Sequence, residues 1–216
     1  MRNQFDYELA LLNTELIEMG ALIENAIGRA VDALIKRDEG FAKAAIEFDS
    51  EVNQKERDIE THCLKLLLQQ QPVAKDLRLI SSALKMITDM ERIGDQACDI
   101  AEITLRLTNK VDIKKLDHIS AMAKATIRMV RDAIDAFVAR DLLQAHKVIG
   151  YDDEVDGLFD DVRDDLIALI KTSQMDGEQV VDLLMIAKYL ERIGDHAVNI
   201  AEWVVFSITG QHKTNE

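Results

Sequence analysis

Apolar residues recur every three or four positions over most of the chain, with charged residues filling the intervals, which is the spacing of amphipathic helices. The first run spans about Phe5 to Arg37 and puts Leu9, Leu12, Leu16, Met19, Ile23, Ile27, Val31 and Leu34 on one face. Arg37-Asp38-Glu39-Gly40 interrupts it. A second run carries Ala45, Phe48, Val52, Ile59, Cys63 and Leu66 to the QQQPV stretch, where Pro72 sets a boundary because its ring nitrogen has no proton to donate. A third begins near Ala74, includes Leu77, Ile80, Leu84 and Ile87, and ends about Asn109.

The pattern then repeats. MITDMERIGDQACDIAE (86–102) returns as IAKYLERIGDHAVNIAE (186–202), an offset of 100, while VDALIKRD (31–38) returns as IDAFVARD (134–141) and FDSEV (48–52) as YDDEV (151–155), an offset of 103. The unit duplicated is therefore a set of three helices, with three residues missing from the second copy's last connection, TSQMDGEQ (172–179). A fourth helix starts at Asp112 or Asp117, a fifth carries YDDEV, and a sixth runs from about Gln179 to Ile208 before Gly210 stops it. Helices of about 30 residues are about 45 Å long. The expectation is an all-α fold of two tandem antiparallel three-helix bundles, residues 1–110 and 111–216, packed side by side as one elongated body.

Composition narrows this further. A hydrophobic fraction of 48% with 5% aromatics and a single proline leaves little material for a sheet. A net charge of −14 speaks against binding a nucleic-acid backbone, which needs clustered Lys and Arg, and favours cations or basic partner surfaces. Cys63 and Cys98 lack CxxC spacing, so a reducing cytoplasm is the simpler setting. The N-terminal MRNQFDYELALLN has no long apolar stretch, and no run approaches the ~20 residues of a membrane span, so membrane contact is expected only through partners.

The repeated stretches carry the candidate chemistry. Carboxylates one helical turn apart point the same way, so they offer oxygen ligands to a cation and repel one another without it. The third helix gives Glu91, Asp95 and Asp99, and the second gives Asp49 with Asn53 one turn on. The sixth gives Glu191, Asp195 and Asn199, and the fifth gives Asp152 and Asp156. Each half thus keeps four carboxylates on two antiparallel neighbours, with the asparagine exchanged between helices. An exposed acidic face relieved by Arg92 and Arg192 is the plainer alternative. All-oxygen sites suit Mg, Mn, Ca or iron.

Gly94 and Gly194 sit inside helices, where glycine costs about 1 kcal/mol relative to alanine. Close approach of a neighbouring helix is the common reason, and space for a metal the less common one. His62, His118, His146 and His212 have no ligand partner at a helical spacing and read as surface or half-buried residues, while His196, beside Asp195, has at most a peripheral role. The Glu-x-x-His motifs of di-iron bundles, a Gly-rich phosphate loop and G-x-S-x-G are all missing, which counts against an enzyme. A metal-dependent enzyme using the same clusters, or a helical interaction protein without metal, are the rival readings.

With both ERIGD segments, the stretch QPVAKDLRLISSALKMITDMERIGD (71–95), ERIGDHAVNI (191–200) and the acidic starts at Asp49 and Asp152, the sequence resembles the PhoU family over nearly its whole length. The resemblance implies two tandem three-helix bundles whose D/E-x-x-x-D motifs hold small clusters of iron or another divalent or trivalent ion. By position the ligands would be Asp49, Glu91, Asp95 and Asp99 in one half and Asp152, Asp156, Glu191 and Asp195 in the other. Asn53 and Asn199 depart from the fully acidic pattern. The resemblance further implies a cytoplasmic, non-catalytic negative regulator coupling a phosphate ABC transporter, through its ATPase subunit, to a sensor histidine kinase of a two-component system. A homodimer is compatible with this role.

Overall fold

A computed structural model describes residues 2–70, 73–107, 117–172 and 176–211. Among them are seven helices and no strand: α1 (Arg2–Lys36), α2 (Glu39–Gln70), α3 (Ala74–Leu107), α4 (Asp117–Ala139), α5 (Leu142–Gly150), α6 (Asp152–Lys171) and α7 (Gly177–Thr209). Pro72, Asn109, Asp112, His212 and the boundary between residues 110 and 111 lie outside the described residues.

The apolar stripes become the core. Leu12, Leu16, Met19, Ile23 and Ile27 of α1 are fully buried, as are Val52 and Ile59 of α2 and Met86, Met90 and Ile93 of α3. α1, α2 and α3 pack on one another, and α7 packs on α4, α5 and α6. The most extensive helix pair, α3 with α7, joins the two bundles, and α1 with α4 adds a second seam, so one hydrophobic core runs through both. α3 and α7 are antiparallel. Asp89 faces His196 and Asn199, Asp99 faces Tyr189, and Arg106 reaches Asp182 at 3.4 Å. Asp89 with Asn199, Asp99 with Tyr189 and Arg106 with Asp182 share one antiparallel register.

The turn after the first helix of each unit is also duplicated. Arg37 and Arg140 both take the left-handed conformation, at φ 57° and 55°. The next amide then closes the helix, Asp38 to the Ala33 carbonyl (3.1 Å) and Asp141 to the Ala136 carbonyl (2.9 Å). Each aspartate also caps the start of the succeeding helix: Asp38 Oδ1 accepts from the Gly40 amide (2.7 Å) and Asp141 Oδ1 from the Gln144 amide (3.0 Å). Asp176 and Gln179 form a capping box at the start of α7, and Gly210, at φ 74°, closes its end.

The six expected helices become seven because the fifth is broken at Tyr151, whereas α2 runs unbroken through the equivalent Phe48. Gly150 stands where the first copy has Glu47, and glycine is a weak helix former. The Tyr151 amide bonds three residues back to the Val148 carbonyl, and the Glu154 amide to the Tyr151 carbonyl, both at 3.1 Å, so the chain passes through a tightened turn. Asp152, Asp153 and Glu154 then occupy the first turn of α6, where the helix dipole favours negative charge.

Candidate metal centres

The first acidic centre lies between α2 and α3 at the level of Gly94. A Cβ there would stand 2.9 Å from Val52 Cγ1, so the glycine is the condition for α2 to approach this closely. That approach brings Asp49 against Asp95, close enough for the two carboxyl groups to act on one another. Burial first, then the charges of Asp95 and Asp99, hold the Asp49 carboxyl above the usual aspartate range. Burial and Asp95 raise Glu91, and burial and Glu102 raise Asp99. Three nitrogen donors offset part of this repulsion. Asn53 Nδ2 donates to Asp49 Oδ2 (3.0 Å), and Arg92 reaches Asp95 through Nη1 (3.0 Å) and Glu91 through Nε (3.4 Å).

The second centre lies between α6 and α7. Burial first, then Asp156, Asp195, Asp153 and Glu191, push the Asp152 carboxyl up to about 6. This happens although Asp152 lies in the first turn of α6, a position that favours the anion. Burial and Glu191 raise Asp195, with partial relief from Lys188 and His196. The Lys188 ammonium group contacts the Glu191 carboxylate and stands over the Phe159 ring at 5.7 Å. A Cβ on Gly194 would meet Val155 Cγ1 at 3.4 Å, an ordinary contact, so the helices here are less tightly apposed.

All eight carboxylates singled out in the sequence therefore fall into two groups of four that feel one another's charge. Among the described residues, however, no set of three or more His, Cys, Asp or Glu side chains stands in an arrangement that could hold a metal ion. Each centre is a convergence of carboxylates with Arg92 or Lys188 set among them, rather than an assembled coordination shell.

Several placements were not visible in the sequence. Asn199 does not face α6: it donates to Asp89 Oδ1 across the bundle seam (3.1 Å), and His196 Nδ1 meets the same oxygen at 2.9 Å. Asp99 is shared, being close enough to Asp49 to raise it while also interacting with Tyr189 of α7. Glu56 joins the first centre, and burial and Glu60 hold it above its ordinary range. Its position, one turn beyond Asn53 on the face of Asp49, was the available signal.

Three of the histidines, His62, His118 and His196, find partners on neighbouring helices. His62 of α2 lies between Glu15 (Nδ1, 2.7 Å) and Glu8 (Nε2, 3.0 Å) of α1. His118 of α4 meets Asp165 of α6 at 2.7 Å. At the offset of 103, His118 corresponds to Glu15 and Asp165 to His62, so the pair recurs with acid and base exchanged between helices.

Comparison with known proteins agrees with this architecture. The PhoU domain family model matches residues 16–104 and again 119–204. A phosphate-specific transport system accessory protein PhoU homolog of Clostridium acetobutylicum is 36% identical over 211 residues, 97% of this chain and 96% of that one. The crystal structure of PhoU from Pseudomonas aeruginosa superposes with a TM-score of 0.88 at 35% identity, covering 96% of this chain and 100% of that one. The phosphate transport system regulatory protein PhoU from Streptococcus pneumoniae gives a TM-score of 0.88 at 29% identity, over 97% and 99% of the two chains. Two matched family segments, full-length relatives and a shared tandem-bundle fold place the chain in the PhoU family.

Proposed function

We propose that this chain is a cytoplasmic, non-catalytic accessory of a phosphate transport system whose two carboxylate centres take up hard divalent or trivalent cations. In this role it contacts the ATPase subunit of a phosphate ABC transporter and a sensor histidine kinase, and it holds phosphate-starvation responses down when phosphate is plentiful. The relatives' names support the link to phosphate transport and its regulation. No described helix is long and apolar enough to cross a membrane, which suits contact with a membrane complex through protein partners.

The observation that carries the cation reading is that carboxyl groups are held above their ordinary range at the same helix pair in both halves. The donor chemistry fits Mg, Mn, Ca or iron, since every candidate ligand is an oxygen. Asp49, Glu91, Asp95 and Asp99 would hold the ion in the first half, and Asp152, Asp156, Glu191 and Asp195 in the second. A bound cation supplies the positive charge that the carboxylates lack. Arg92 and Lys188 now meet part of that need, so they must give way as the carboxylates converge. Asn53 holds Asp49 oriented from the next turn of α2. The consequence for partners is a fixed α2–α3 and α6–α7 pairing, presenting one surface in place of a set of mutually repelling side chains.

The role is tested in the host by deleting the gene and following a phosphate-starvation reporter in high phosphate. The wild-type chain should restore repression, and the variant carrying Glu91→Ala, Asp95→Ala, Glu191→Ala and Asp195→Ala should not. Full repression by that variant would contradict the cation role, and failure of the wild type to repress would contradict the regulatory role.

A further inference from the structure

A cavity of about 500 Å³ opens where α4 meets α5 and the Tyr151 break, lined by none of the eight carboxylates of the two centres. Its size falls in the range of small-ligand sites. In a chain of net charge −14 it presents two cations, Arg128 and Lys147, against one acid, Asp132. Asp132 only partly engages Arg128, at 3.5 Å from Nε, and Lys147 has no ion-pair partner among the described residues. Arg128 Cζ stands 4.9 Å over the Tyr151 ring while the side chain stays 65% exposed, so its guanidinium is fixed on one face and open on the other. Met129 and Val148 supply an apolar floor. The Gln144 amide reaches only the Asp132 carbonyl, at 3.5 Å, and retains hydrogen-bonding capacity.

Two further observations bear on a ligand. Gly150 lines the cavity, its φ is not in the left-handed region, and nothing lies within 4 Å of where its Cβ would be. Glycine here goes with the weak point of the broken helix, and it leaves this part of the cavity lining without a side chain. Duplication does not account for the lining. The positions equivalent to Arg128, Gln144, Lys147 and Gly150 in the first half are Asn25, Phe41, Ala44 and Glu47.

We infer that this cavity binds a nucleoside monophosphate. A flat base stacks on the open face of the Arg128 guanidinium, a surface that suits planar rings. The Gln144 amide meets the edge of the base, Asp132 accepts a hydrogen bond from the sugar, and Lys147 supplies the point charge for the phosphate. The inference rests on the cavity alone and is independent of the cation reading.

Calorimetric titration of the full chain with AMP, GMP, CMP and UMP, beside the corresponding nucleosides and inorganic phosphate, provides the test. At least one nucleotide should bind about tenfold or more tightly than its nucleoside or phosphate alone, a factor worth about 1.4 kcal/mol. Lys147→Glu and Arg128→Ala should each weaken that binding about tenfold or more. Gly150→Leu, in the cavity lining, should also weaken it about tenfold or more, and if that variant fails to fold the other two decide. Absence of binding by all four nucleotides at millimolar concentration would overturn the inference. So would binding that is indifferent to Lys147→Glu and Arg128→Ala, or inorganic phosphate binding as tightly as any nucleotide.

Discussion

The two bundles descend from one pattern but solve it differently. In the first, α2 is continuous, Gly94 admits Val52 at a distance no Cβ would tolerate, and Asp49 and Glu56 of α2 meet three carboxylates of α3. In the second, the equivalent helix is broken, Gly194 leaves ordinary room, and two carboxylates of α6 meet two of α7. The relieving cation changes as well, from Arg92 to Lys188. Duplication preserves the charge arrangement at a helix seam, while the residues and backbone that deliver it vary. The pair Glu15–His62 reappearing as His118–Asp165 makes the same point, because an acid and a base can trade helices without changing the interaction between them.

The sharpest way to break the comparison is at the two glycines. Gly94→Ala must push Val52 aside and is expected to cost about 2 kcal/mol, in the range for overpacked cores. Gly194→Ala should be neutral or should stabilise by up to about 1 kcal/mol through helix propensity. Urea denaturation measures both, and equal effects would contradict the difference in apposition.

A smaller effect is expected at Asp152. A carboxyl that titrates at about 6 in the folded chain and at its ordinary 3.8 when unfolded takes up protons on folding between those values. Its contribution is therefore favourable at low pH and lost as pH rises from 3.8 to about 6. At neutral pH the penalty is complete, so Asp152→Asn should stabilise the metal-free chain by about 1.5 kcal/mol, a figure reduced for partial solvent screening. The gain should fade below about pH 4, and a gain unchanged across that window would rule out charge as its cause. His62→Ala should cost about 1 kcal/mol, because the ring is 12% exposed and meets two glutamates. His118→Ala, with its ring 41% exposed, should cost only a few tenths. Smallest of all, Gly150→Ala should raise stability by a few tenths of a kcal/mol by strengthening the weak point of the broken helix.

Periodicity carried most of the architecture. The third helix, expected from near Ala74, begins at Ala74, and the last, expected from about Gln179 to Ile208, spans Gly177–Thr209. The break at Tyr151 leaves no trace in the pattern because apolar spacing continues through it, and a tightened turn shifts hydrogen bonds without resetting the period. Left-handed Arg37 and Arg140 carry no compositional signal, since arginine is not a residue that favours that conformation. Both carboxylate groups were legible because each was written twice. Asn199 was misplaced because a single-helix projection shows which residues share a face but not which neighbour that face meets. The histidine pairs were missed for the same reason, with partners 47 residues away on another helix.

Whether the two carboxylate centres are separate cation sites is tested most directly by calorimetric titration with Mn²⁺. The titration compares the wild type, the Glu91→Ala/Asp95→Ala variant, the Asp152→Ala/Asp195→Ala variant and their combination, each checked for helicity. Each double variant should lose the uptake of its own half, and the combination should lose all of it. Undiminished Mn²⁺ uptake by the combined variant, with its helices intact, would contradict the cation role of both centres.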